Sequence, residues 1–159
     1  MAETPIITQS ILDRLSNSSS REGGSVDAYK AIEQMRASVQ RNLEDLMNTR
    51  VRCTSWPASL SELENSLLNY GIPDLTAAHL QSEQSRKEFL RELERRIKFF
   101  EPRLKGVRVI PVENSDFYDR TLRFRIDATL LSYPMPEPIA FDSTFDPTVG
   151  QINVRGGME

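Results

Sequence analysis

The stretch "ELERRIKFFEPRLKGVRVIPVE", Glu92–Glu113, holds the change of period that decides the fold. Up to Phe100 the apolar residues recur every three or four positions, as on a helix; after Pro102, "VRVIPV" reads as a strand. Between the two sits Glu101, directly before Pro102 and Arg103. Helix C-termini carry partial negative charge, so a carboxylate there is disfavoured by roughly 0.3–1 kcal/mol. Pro102 drives the residue before it out of helical geometry, and the helix must end at this point. The result is a rigid corner presenting an acid and a guanidinium one proline apart. Arg103 can compensate the helix carbonyls, whereas Glu101 needs a cationic or N–H partner, in this chain or in another.

Upstream of the corner the pattern is helical. From Val26 to Thr49 a single stripe carries Tyr29, Ile32, Met35, Val39, Leu43, Leu46 and Met47, with Ser25 as N-cap and Asp27 in the first turn. "TRVRCTSWP" is strand-like and ends at Pro57. A shorter helix is expected over roughly Leu60–Tyr70, stopped by Gly71 with Pro73 beyond it. The helix that enters the corner runs from about Ser82, with Phe89, Leu90, Leu93, Ile97 and Phe100 inward. Glu92 with Arg96 and Glu94 with Lys98 form i,i+4 pairs on its wet side.

Downstream the pattern is β. In "TLRFRIDATLL", Leu122, Phe124, Ile126, Ala128 and Leu130 face one way while Arg123, Arg125, Asp127 and Thr129 face the other. "PIAFDSTF" repeats the alternation through Ile139, Phe141, Ser143 and Phe145. "DPTVG" is a turn signal and "QINVR" a short last strand. Helices followed by a meander mean α+β: three main helices on one face of a small, mainly antiparallel sheet, preceded by an N-terminal helical arm. The arm, "PIITQSILDRL", offers Ile11, Leu12 and Leu15 as an apolar anchor and is tethered by "SNSSSREGGS". The expected division is an arm and linker over 1–24, one domain over 25–155, and a tail over 156–159.

The totals bound the function. With 159 residues, 38% hydrophobic and 27% charged, one soluble domain is expected, without a membrane span or signal peptide. A single cysteine, Cys53, fits a reducing compartment, and the chain reads as cytosolic. Net charge is −3, yet Arg86–Arg108 holds nine bases against four acids, which leaves eleven against nineteen elsewhere. That polarity suits docking between charged surfaces better than wrapping nucleic acid. One His (His79) and one Cys make neither a metal site nor a nucleophilic pair, and no cofactor loop is present. A glycosidase needs a carboxylic acid in an apolar pocket. Glu101, among Phe99, Phe100 and Pro102, is the one candidate, but Arg103 would hold it ionised, which is wrong for a general acid.

Four motifs in order carry a resemblance: "NLEDLMNTR" (Asn42–Arg50), "LLNYGIPDL" (Leu67–Leu75), "LERRIKFFEPRLKGVRV" (Leu93–Val109) and "FDSTFDPTVGQINV" (Phe141–Val154). With "SILDRL" at Ser10–Leu15, the chain resembles the TssE family of baseplate-wedge subunits of bacterial type VI secretion systems, relatives of a contractile-phage wedge protein labelled lysozyme-like. The resemblance implies a structural, non-enzymatic part. It implies wedge partners TssF and TssG with TssK nearby, a place on the cytoplasmic side of the inner membrane, and a template for the first ring of the TssB/TssC sheath. It also implies an assembly motif at Glu101, Pro102 and Arg103. Two alternatives are a peptidoglycan hydrolase, after the label, and a regulatory adaptor on the same fold. The strand pattern leaves an open sheet edge at "QINVR" or at "VRVIPV", the latter guarded by Pro111, and with the sheath partner that the resemblance implies, the edge near Ile152, Asn153 and Val154 is the first choice as acceptor of its strands.

Overall fold

The computed structural model describes residues 28–51, 57, 59–60, 62–63, 66–73, 82–114, 121–132 and 135–156. Two α-helices lead, α1 (Ala28–Asn48) and α2 (Glu83–Phe100), separated by a 3₁₀ turn at Leu67–Asn69. Four strands follow: β1 (Leu104–Val112), β2 (Leu122–Leu130), β3 (Glu137–Asp146) and β4 (Gln151–Gly156). They form one sheet in the order β1-β2-β3-β4, every pair antiparallel. The α+β expectation therefore holds, with two α-helices rather than three among the described residues.

The missing helix is the one expected over Leu60–Tyr70. Among the described residues, that segment contains only short 3₁₀ geometry, with Ser66 Oγ accepting from the Leu68 N–H. Leu67 and Leu68 are exposed rather than aligned on a buried face. A short helix is marginal without tertiary support, and the tertiary bonds here favour another path. Ile72 donates to the Thr49 carbonyl and accepts from the Val51 N–H, forming a parallel bridge between Arg50 and Ile72. Gly71, at φ +109, makes the approach possible, because a Cβ there would lie 2.5 Å from the Thr49 carbonyl oxygen.

The sheet obeys its period-2 pattern. Leu122, Phe124, Ile126, Ala128 and Leu130 are all buried, as are Ile139, Phe141, Ser143 and Phe145. They meet Met35, Val39, Leu43, Leu46 and Met47 of α1 and Phe89, Leu90, Leu93 and Ile97 of α2 in a single core. α1 lies along β4 and α2 along β1. A β-bulge between Lys105 and Arg108 contains Gly106 at φ +62, the left-handed geometry glycine tolerates. β1 and β4 are the two sheet edges. The Val26–Ser25 end of the first helix, the arm, Cys53 and His79 lie outside the described residues.

Candidate functional site

The corner is closed within the chain. α2 ends with the Glu101 N–H donating to the Ile97 carbonyl at 2.9 Å, and the Leu104 N–H returns to the Glu101 carbonyl at 3.1 Å. Glu101 has φ −121 and ψ 77, outside the helical region that the following proline disfavours. Its side chain is buried, and both carboxylate oxygens are gripped by Arg103: Nε donates to Oε1 at 2.6 Å and Nη2 to Oε2 at 2.7 Å. Asn42 Nδ2 of α1 donates to Oε2 at 3.2 Å, and Arg103 Nη1 donates to Ser38 Oγ at 3.3 Å. Arg103 also accepts, through its carbonyl, from the Leu131 N–H at 2.9 Å.

Glu101 thus has its cation two residues away, and Arg103 is spent on that carboxylate rather than on the helix carbonyls. The fork-to-fork geometry is the strongest form of charge-assisted bond available to the pair. The ion pair and its two helix partners fasten α1, the end of α2 and the start of β1 to one another. Pro102 is the exposed member of the trio. A carboxylate accepting from three N–H groups is bonded as an acceptor, which is the wrong arrangement for delivering a proton to a glycosidic oxygen.

A second buried cation escapes a reading by period. Arg96 was expected on the wet side of α2, paired with Glu92; the pair exists at 2.7 Å, but Arg96 is buried. Its Nη1 donates to the Asn69 and Gly71 carbonyls at 3.0 and 2.6 Å, pinning the 3₁₀ segment to α2. Glu92 also holds Arg95, and its carboxyl lies below the ordinary carboxylate range, first through the Arg95 hydrogen bonds and then through Arg96, against a desolvation cost. Aromatic edges extend this contact, Tyr70 to Phe100 at 5.1 Å and Phe100 to Phe99 at 4.9 Å between ring centroids.

The expected open edge at Ile152–Val154 is not open. β4 is terminal in the sheet, yet α1 occupies its outer backbone. Asn48 Nδ2 donates to the Ile152 carbonyl and Asn48 Oδ1 accepts from the Ile152 N–H, both at 2.9 Å. Gln40 Nε2 donates to the Val154 carbonyl at 2.9 Å. Backbone groups alternate sides along an antiparallel strand, so Asn153 points its N–H toward β3, opposite Thr144. The arm residues Ile11, Leu12 and Leu15 lie outside the described residues. No cluster of His, Cys, Asp or Glu among the described residues could hold a metal, and none of their helices is long and apolar enough to cross a membrane.

The family model of the baseplate wedge protein gp25 matches residues 33–135, more than half of the 159. The chain belongs to the gp25 baseplate wedge family. The matched stretch of this wedge protein includes both helices' core faces and the whole Glu101–Arg103 corner. Among solved structures, a chain of "The baseplate complex from the type VI secretion system" aligns at 20% identity and a TM-score of 0.47, covering 80% of this wedge protein and 97% of that chain. No curated protein matches its sequence.

Proposed function

We propose that this wedge protein is the TssE-type subunit of a type VI secretion baseplate. In this reading it is a structural part, working on the cytoplasmic side of the inner membrane with TssF and TssG, near TssK, and helping to start the TssB/TssC sheath. The observation that carries the reading is its membership of a baseplate wedge family, whose matched stretch contains a corner built to hold one shape. Glu101 and Arg103 satisfy each other internally, so their proposed part in assembly is to fix the exposed Pro102 and the ends of α2 and β1 for a partner. The apolar residues Ile11, Leu12 and Leu15 supply a proposed second anchor. Sheath templating at the β4 edge would require Asn48 and Gln40 to release Ile152 and Val154.

The test is recovery of the tagged chain from its own cells. TssF and TssG should co-purify with it, and the purified protein should clear no peptidoglycan in a gel overlay. Recovery without either wedge protein defeats the proposal, and a clearing band restores the hydrolase reading.

A further inference from the structure

β1 is an edge of the sheet, and its composition invites pairing. "VRVIPV" (Val107–Val112) is rich in β-branched residues, which add strands readily where an edge is bare. Ile110 and Val112 stand exposed on the open face, opposite Arg125 and Arg123 of β2. Two such edges meeting about a two-fold axis would lay these aliphatic side chains alongside their copies. What β1 offers a second strand is decided by its outward backbone groups.

Those groups can be traced from the bonds made toward β2 and away from it. The Leu131 N–H binds the Arg103 carbonyl, so Arg103 faces β2 and Leu104 faces outward, its N–H returning to the Glu101 carbonyl at 3.1 Å. The bulge at Gly106 and Val107 interrupts the ladder, which resumes with Arg108 opposite Asp127. Val109 is therefore outward, and its N–H is taken by Glu94 Oε2 at 3.2 Å. Glu94 Oε1 is held in turn by Lys98, one turn further along α2. Pro111 is the next outward residue and has no N–H to give. Glu113 follows past the end of β1 and brings an exposed carboxylate. Outside the bulge, each outward N–H of β1 is bonded within the chain or missing.

We propose that Glu94 and Pro111 are gatekeepers that bar a second copy of this chain from pairing with β1 and so keep the chain a monomer. An approaching strand brings carbonyls as well as N–H groups. At Val109 its carbonyl would meet a carboxylate instead of a donor, and at Pro111 a ring carbon. An acceptor buried in that way loses its bond to water and gains none. β4 is shielded by the neutral amides of Asn48 and Gln40, whereas β1 is shielded by a charge and by a missing donor. The guard operates in the isolated chain, independently of any baseplate partner.

The test is sedimentation velocity of the full chain over a concentration series, with amide exchange to locate any contact. Glu94→Ala with Pro111→Val restores two outward donors. Self-association should then tighten by about tenfold or more over the parent chain, with slowed exchange at Val109 and at position 111. Glu94→Gln keeps an acceptor oxygen for Val109 and should behave as the parent does. So should Lys98→Ala, which breaks the ion pair and leaves the Val109 contact. In the parent itself the Val109 amide should exchange slowly, a readout that needs no variant. A folded double variant that stays monomeric overturns the proposal, as does association mapped to another surface or equal association of Lys98→Ala. A parent chain that already pairs through β1 overturns it too, and so does fast exchange at Val109 in the parent, whether or not the double variant folds.

Discussion

Asn48 pairs with Ile152 as a strand residue would, giving its Nδ2 proton to the carbonyl and taking the N–H on its Oδ1, both at 2.9 Å. With Gln40 on the Val154 carbonyl, one helix supplies the hydrogen bonds of a fifth strand and shields an edge that ends the sheet. Replacing both, Asn48→Leu with Gln40→Leu, should therefore expose backbone groups. The expected outcome is a monomer that self-associates in sedimentation velocity as concentration rises; a variant that stays monomeric shows that the helix backbone alone covers β4.

The corner makes a double-variant prediction. Glu101→Ala or Arg103→Ala leaves a buried charge without its partner, and each should cost about 3–5 kcal/mol in urea unfolding. Glu101→Met combined with Arg103→Leu removes both charges and should cost clearly less than the two single changes added together. Strict additivity would mean that the two side chains act separately. Pro102→Ala keeps the ion pair, so it should unfold within about 1 kcal/mol of the parent chain.

At Gly71 the reason for glycine is space as well as conformation. Gly71→Ala places a methyl 2.5 Å from the Thr49 carbonyl oxygen at φ +109, and roughly 2–4 kcal/mol should be lost. Amide exchange at Ile72 and Val51 should quicken before the rest of the sheet does. Unchanged exchange there would separate the glycine from the bridge.

Ser143 points the other way. Its Oγ is buried on the core face between the strand neighbours Phe124 and Val154, without a hydrogen-bond partner. Ser143→Ala removes an unsatisfied group and should raise stability by about 1 kcal/mol. A melting temperature that falls instead would mean the hydroxyl is bonded in solution.

Glu92 sets a pH dependence. Its folded carboxyl lies below the ordinary value of 4.5, so its contribution is complete above that value and drains away as pH falls through the lowered range. Glu92→Gln should destabilise the domain at neutral pH and flatten the acid limb of a stability-against-pH curve. A parallel curve would assign the acid limb to other carboxylates.

Much of the fold was legible because it is written in local period. The alternation of Leu122–Leu130 and Ile139–Phe145, the stripe Met35–Met47, and the switch at Pro102 each follow from which side chains recur on one face, and each element formed as read. The corner itself was also legible, since a pre-proline acid at a helix end breaks a rule that can be stated without coordinates. What only the tertiary structure decided is where polar groups find partners across long separations. Asn42 reaches Glu101 over 59 positions and Asn48 reaches Ile152 over 104, and Arg96 leaves the wet side to bind two loop carbonyls. Those same bonds favour the bridge at Ile72 over a helix at Leu60–Tyr70 and close the β4 edge that strand pattern alone left open. A period tells which face is buried; it carries no information about which distant donor will satisfy a given acceptor, because packing brings them together only after the faces have met.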